Sequence, residues 1–380
     1  MKYCQQCLLP DTKPDLLFDS MGICNACINF LSRKNIDFEK RKLELIKILD
    51  KYKSIDNSNW DCIIPISGGK DSTYQVLRIL ELGYNPLCVV ATTCHLTEIG
   101  KSNIENIKTL GVDVIEFTNN RKMRKHLNKY CLEEIGDISW PEHVSIFTIP
   151  VKVAVSYKIP LIIWGECSQN EYGGPATSVH NNTLDRNWLE EFGGLLGLRV
   201  SDITELANIN KKDIISFNYP SDEEIQTVGV TGIFLGYYIK WCGLSNALIS
   251  QSYGFTTYFS NVEGSISNYE NLDNYQTLIH DYFKYLKFGF DRSTDIASSL
   301  IRRGIISRDD AILMVKNNEG KFPKKSLGKS IEYILGFIDL SLDEFTSICD
   351  KFTNKSLFKT NDKGELIKDK NNNLIRLYNP

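Results

Sequence analysis

Short apolar runs alternate with amphipathic stretches through the first half of the chain. Cys62–Ile66, Pro86–Ala91, Val112–Phe117 and Pro160–Trp164 are each five or six residues long. Runs of that length predict strands buried on both faces. Between them, apolar residues recur at helical spacing over Thr73–Leu82, Ser102–Leu110, Arg121–Leu132 and Phe147–Tyr157. Strands and helices in strict alternation predict a parallel, doubly wound α/β sheet, with ligands at the carboxyl ends of the strands.

The flanks read differently. A charged stretch from Arg33 to Lys53 carries Phe38, Leu43, Leu45, Ile46 and Leu49 at helical spacing and predicts a joining helix. After about Asn170 the regular alternation fades. Thr231–Trp241, Tyr275–Phe288, Ser293–Arg303, Arg308–Lys316 and Lys329–Leu335 all read as helices, and the polar tail from Ser356 as a hairpin or a loose end. The expected organisation is a metal module over 1–32, a linker helix over 33–58, an α/β domain over 59–225 and a mainly helical region over 226–380.

Composition narrows the function classes. Of 380 residues, 42% are apolar and 24% charged, which excludes collagen-like, low-complexity and disordered chains. Forty-four Lys and Arg stand against 47 Asp and Glu, for a net charge of −3. That balance argues against nucleic acid as the main partner. The apolar runs are far short of the ~20 residues of a spanning helix, and no apolar signal core follows the N-terminus. A cytoplasmic chain without membrane insertion is expected. In that compartment, 11 cysteines read as metal ligands or buried thiols.

Four cysteines fall within the first 30 residues. Cys4-x2-Cys7 is followed after sixteen residues by Cys24-x2-Cys27, the pattern of a zinc ribbon. Each pair sits on a tight turn that aims two sulfurs at one ion, and two turns complete a tetrahedron. An iron–sulfur cluster uses the same donors and stays open at this point. Either way so short a module needs a metal, because it cannot build a sufficient core. His95, His126, His143, His180 and His280 show no metal spacing and read as structural or exposed.

The first apolar run ends in Ser67-Gly68-Gly69-Lys70-Asp71-Ser72, with a helix behind it. Glycines let backbone approach a ligand, and the amides at a helix N-terminus favour phosphate. Ser67 and Ser72 add hydroxyls, Lys70 a positive charge, and Asp71 is placed to hold Mg2+ beside a pyrophosphate. The run is not the Walker pattern, so a kinase or GTPase reading fails. After the fourth apolar run comes Gly165-Glu166, followed by Glu171-Tyr172-Gly173-Gly174. A parallel sheet puts this cluster on the same rim, where Glu166 and Glu171 suit a magnesium–nucleotide site.

The Ser67–Ser72 run resembles the S-G-G-x-D-S motif of the PP-loop ATP pyrophosphatases, which adenylate an oxygen and let a nitrogen or sulfur nucleophile displace AMP. Taken with the cysteine pairs, W-G-E at Trp164–Glu166, E-Y-G-G at Glu171–Gly174, K-Y-L-K-F-G-F at Lys284–Phe290 and Arg303-Gly304, the chain resembles the N-acetyl sugar amidotransferases of bacterial surface-polysaccharide and flagellin-sugar biosynthesis. Asn170 and the tail after Ser356 depart from that pattern. The resemblance implies a PP-loop fold that converts an acetamido group of a nucleotide-linked sugar to an acetamidino group with ATP, Mg2+ and ammonia. It also implies a structural Zn2+ and a partner glutaminase with its synthase-like subunit. The implied ATP site is Ser67, Gly68, Gly69, Lys70, Asp71, Ser72, Ala91 and Gly165, and the catalytic set Asp71, Glu166, Glu171 and Lys287. Tyr172, Gly173, Gly174, Lys284 and Arg292 are the expected substrate contacts. Two other readings keep the loop and the cysteines: a tRNA-thiolating enzyme, and a zinc-ribbon nucleotide-binding protein without turnover.

Overall fold

The apolar runs become the strands of one sheet because their side chains alternate between two cores. A computed structural model describes residues 1–93, 95–166, 183, 184, 195 and 197–379. The strands are β1 (Cys62–Pro65), β2 (Pro86–Thr92), β3 (Asp113–Thr118), β4 (Leu161–Trp164), β5 (Thr183–Leu184) and β6 (Thr231–Phe234), in the order β3-β2-β1-β4-β6-β5. All the pairings are parallel except β5 with β6. Cys62, Ile64, Cys88, Val90, Leu161 and Ile163 face one core, whereas Ile63, Leu87, Val89 and Ile162 face the other. This period of two is what a doubly covered sheet requires.

Helices cover both faces. Helix α1 (Asn25–Ser32) leads out of the cysteine module, and on the first face lie α2 (Phe38–Tyr52), α3 (Lys70–Glu81) and α4 (Glu98–Thr109), supplying Leu45, Leu49, Val76, Ile79, Ile104 and Ile107 to the core. After α5 (Arg121–Ile135), α6 (Trp140–Tyr157) covers the second face with Ile149, Val151 and Ala154. The expected doubly wound fold is therefore present. The strand order reverses between β1 and β4, so the carboxyl ends of these two strands flank the switch point where such folds bind ligands.

Helices α7 (Val200–Leu206) and α8 (Asp222–Val228) precede β6. The sequence reading takes Thr231–Trp241 as a helix. Thr231–Phe234 instead pairs with β4, and only α9 (Leu235–Tyr238) is helical there. The sheet thus runs past residue 225. Beyond it come α10 (Gly243–Gln251), α11 (Thr277–Phe288), α12 (Arg292–Arg302), α13 (Arg308–Asn318), α14 (Ile331–Gly336) and α15 (Leu342–Phe352). A separate core gathers Ile279, Phe283 and Leu286 with Ile334, Leu335 and Phe345. The tail folds back as an antiparallel hairpin: Phe358 and Leu374 are buried in that core, and Arg376 pairs with Glu319.

The helical part is knitted to the rim of the sheet. Thr97 N donates to Asp273 O (3.0 Å), Tyr275 N to His95 O (3.2 Å), and Asn103 exchanges two hydrogen bonds with the backbone of Thr256. Contact is close enough that a Cβ on Gly100 would lie 2.7 Å from Asp273 Cα. Among the described residues, no helix is long and apolar enough to cross a membrane.

Candidate functional site

The cysteine module is held by two turns. Cys4 N donates to Leu9 O (2.9 Å), and the stretch around Phe18 and Cys24 forms the second. All four sulfurs are buried and lie within 4.8 Å of one another. Cys4 and Cys27 Sγ are 3.9 Å apart, and Cys7 and Cys24 Sγ 3.7 Å. A disulfide would need about 2.05 Å. Sulfurs about 2.3 Å from a zinc ion in a tetrahedron have edges of about 3.8 Å, so Cys4, Cys7, Cys24 and Cys27 fit such an ion. Cys24 N donates to Cys4 Sγ (3.2 Å), a hydrogen bond that suits a thiolate.

The module leans on the helical part. Leu8 is buried with Ala297, Ala311 and Val315, and its amide donates to Ser298 Oγ (3.2 Å). Thr12 Oγ1 donates to Phe288 O (2.5 Å), and Arg308 Nε to Cys7 O (3.2 Å). Helices α12 and α13 therefore rest against the metal module.

At the end of β1 the chain turns through Ser67-Gly68-Gly69 into α3. Gly68 has φ +81°, and a Cβ there would stand 2.9 Å from Ile104 Cγ1 and 3.0 Å from Gly100 O. Only glycine fits this approach of loop to α4. Ser67 Oγ accepts from Gly69 N (3.3 Å), and Ser72 and Thr73 hydroxyls donate to Gly69 O (3.0 Å each). The turn is thereby closed with the first-turn amides of α3 at the rim, where an anion is favoured. Lys70 and Asp71 already belong to this helix.

Lys70 is buried, and its ammonium lies 2.6 Å from Asp71 Oδ2 and 2.7 Å from Glu270 Oε1. Burial opposes the charge, but these two carboxylates outweigh it and hold Lys70 protonated above its ordinary range. Asp71 Oδ1 accepts from Asn246 Nδ2 (2.8 Å), and Ser250 Oγ donates to Lys70 O (2.8 Å), so α10 fixes the loop from the far side.

Lys70 and Asp71 open onto a cleft of about 540 Å3, its mouth included, lined also by Glu166, Glu270, Arg292 and Asp295. Residues from the ends of β1 and β4 thus meet residues from the helical part. Arg292 holds Asp281 through Nη2 (3.2 Å) and Nε (3.3 Å). Lys284 pairs with Asp295 one helical turn into α12, with Lys13 of the metal module 4.0 Å from the same carboxylate. Gly165 precedes Glu166 of the cleft lining: its carbonyl accepts from Gly236 N (3.0 Å), and a Cβ would crowd Gln75 and Trp241.

Of the expected residues, Ser67, Gly68, Gly69, Ser72, Ala91, Gly165, Lys284 and Lys287 are not among those lining this cleft. Lys287 does not reach the cleft. Its ammonium donates to Ile135 O (2.9 Å) and faces the Phe352 ring, because it closes the last turn of α11 against α5. Ala91 packs into the core beneath α6 and does not line the cleft. Glu171, Tyr172, Gly173 and Gly174 fall outside the described residues. Conversely, Glu270, Asn246, Asp295 and Lys13 join the site without any sequence motif to announce them. They come from segments that approach the loop only through tertiary packing.

A second buried charge cluster lies apart from the cleft lining. His280 Nδ1 is 2.8 Å from Asp137 Oδ1, and His143 Nδ1 is 3.9 Å from the other oxygen. Burial disfavours both charges, yet their attraction prevails: the Asp137 carboxyl is held down at about 2 and the His280 imidazole above its usual value.

Residues 256–371 match a family model described as LPS biosynthesis protein WbpG-like, C-terminal domain. The uncharacterized protein MJ1599 of Methanocaldococcus jannaschii is 31% identical over 97 residues, 25% of this chain and 34% of that protein. The chain thus spans about a third of the length of the curated relative it matches. Among solved structures, NMN synthetase from Francisella tularensis shares 12% identity, covering 51% of this chain and 94% of that one, with a TM-score of 0.28. A predicted subunit of tRNA methyltransferase from Methanocaldococcus jannaschii shares 15%, covering 64% and 87%, with a TM-score of 0.28. The segment that brings Glu270, Arg292 and Asp295 to the cleft therefore lies within the residues similar to the C-terminal domain of WbpG-like LPS biosynthesis proteins.

Proposed function

We propose that this chain is an ATP-dependent amidotransferase of the PP-loop type, acting on an acetamido group of a nucleotide-linked sugar in surface-polysaccharide biosynthesis. One observation carries the reading: the Lys70–Asp71 loop shares a cleft with side chains of the WbpG-like domain. A nucleotide held by the first would face a sugar held by the second.

An amide carbonyl is a poor electrophile, and its oxygen a poor leaving group. In the proposed reaction the acetamido oxygen attacks the α-phosphorus of ATP, and pyrophosphate leaves. Ammonia then adds to the imidate carbon, AMP departs with the oxygen, and loss of a proton gives the amidine. The chain's part is to position the reactants and stabilise charge. The loop amides and Lys70 would hold the phosphates, Asp71 and Glu166 would hold Mg2+ beside them, and Arg292 and Lys284 belong to the sugar side. The four cysteines would hold Zn2+ in a closed site with a structural role. Nitrogen would come from a partner glutaminase.

The test is mass spectrometry of UDP-linked N-acetyl sugars incubated with the protein, ATP, Mg2+ and an ammonium salt, with pyrophosphate followed in parallel. The expected product is about one dalton lighter than its precursor, because NH replaces oxygen. Pyrophosphate release without an acceptor, or none with any acceptor, would sink the proposal.

A further inference from the structure

Asp295 is a buried acid with one satisfied oxygen. Its side chain is 6% exposed and lines the cleft. Oδ2 accepts from Lys284 Nζ, whereas Oδ1 has no hydrogen-bond partner among the described residues. The Lys13 ammonium stands 4.0 Å from Oδ1, beyond hydrogen-bond distance. Lys13 and Lys284 both stand over the Phe290 ring, 5.6 and 4.7 Å from its centroid, which fixes the two charges relative to one another. Burial pushes the Asp295 carboxyl up, but Lys284 and then Lys13 outweigh it and keep the carboxyl below its ordinary range. The group is an ionised acceptor on the cleft wall with a lone pair unspent.

A buried oxygen left this way costs stability and returns nothing to the fold, so a donor from outside the chain is the natural completion. We infer that Asp295 Oδ1 accepts a hydrogen bond from an N–H or O–H of the acceptor sugar, and that Lys13 of the metal module is the positioning residue for that carboxylate. The inference rests on the amidotransferase reading. If the donor is the acetamido N–H, the bond also has a chemical effect. Drawing on that hydrogen moves electron density toward the carbonyl oxygen, the atom that must attack phosphorus. The cysteine module then has a second duty, since it carries Lys13 to within 4.0 Å of Asp295 behind the cleft wall.

The experiment compares Asp295→Asn, Lys13→Met and Lys13→Arg with the wild-type protein. It reads equilibrium ATP binding and pyrophosphate release over a range of UDP-linked N-acetylhexosamine concentrations. Asp295→Asn is expected to raise the acceptor KM about 10- to 100-fold, the worth of one charged hydrogen bond, with ATP affinity unchanged. Lys13→Met should raise it a few-fold, and Lys13→Arg should restore it. An unchanged acceptor KM in Asp295→Asn, or an equal loss of ATP affinity, overturns the assignment. Should that variant fail to fold, an unchanged acceptor KM in Lys13→Met does the same. N-methylated acetamido and deoxy analogues identify the donor. The Asn variant should match wild type on the analogue that lacks it, and a penalty that persists on every analogue overturns the proposal. If the wild-type protein neither binds nor turns over any of these sugars, the amidotransferase reading falls and this inference with it.

Discussion

Asp71 joins three demands in one side chain: it pairs with Lys70, accepts from Asn246 and faces the cleft. It is 32% exposed at the side chain, so folding depends on it little. Asp71→Asn should cut acceptor-dependent pyrophosphate release on the order of 100-fold or more, with only a small change in melting temperature. A near wild-type rate would refute its role. Gly68→Ala should act the other way round. Positive φ and the nearness of Ile104 and Gly100 make the methyl cost ~1–3 kcal/mol, measurable by urea unfolding. The Asp137–His280 pair gives a pH signature. Asp137 is held below its unfolded value, so its contribution is present above about pH 4 and lost as pH falls toward about 2. His280 is held above its unfolded value, so its contribution is present below about pH 6.5 and lost as pH rises through the folded pKa. His280→Gln should therefore flatten the stability profile on the alkaline side, by on the order of 1 kcal/mol. An unaltered slope between pH 6 and 8.5, followed by thermal melts, would count against the pair. At this scale the cysteines and the glycine loop are legible because their neighbours in sequence are their neighbours in space. Glu270 and Asp295 are not, since nearly 200 residues or more separate them from Lys70 in the chain.

The first four apolar runs become β1 to β4. Thr231–Phe234 escapes this reading because it passes directly into α9, and its short span fits either period. Lys284 and Lys287 show the same limit on a helix. They lie one turn apart on α11, yet one meets Asp295 and the other Ile135. Spacing alone does not say which side of α11 faces the cleft. The metal module matters at this scale because α12 and α13 rest on it. Replacing Cys4 by Ser, or removing the metal with a chelator, should lower the melting temperature and speed amide exchange in 292–302 and 308–318 ahead of the sheet. Unchanged metal content and unchanged exchange in the Cys4→Ser variant would refute the buttress.

The rim of the sheet and the segment matched by the WbpG-like model meet at one cleft, with the cysteine module behind it through Lys13, 4.0 Å from Asp295. On the proposed reading, purified protein should turn over with a high concentration of ammonium salt, and with glutamine only beside a partner glutaminase. Unprotonated ammonia is the nucleophile and only a small fraction at neutral pH, so the rate should climb from about pH 7 to about pH 9. A docked glutaminase should flatten that climb by delivering ammonia directly. Robust turnover on glutamine by the purified chain alone would overturn this expectation.

The hydrogen bond from Leu8 to Ser298 ties residues 290 positions apart. At ~5–20 residues per second, roughly 15–60 s of translation separate the two ends of that contact. Throughout this interval the nascent cysteine turns have no α12 or α13 to lean on, and Leu8 has no apolar partner. The module must then rely on its own turns and the small core of Leu9, Leu16 and Ala26. On the proposed reading, an ion captured by the four cysteines while the ribosome is still working would keep it ready for that docking, and cells short of the ion would accumulate chains whose last docking step fails.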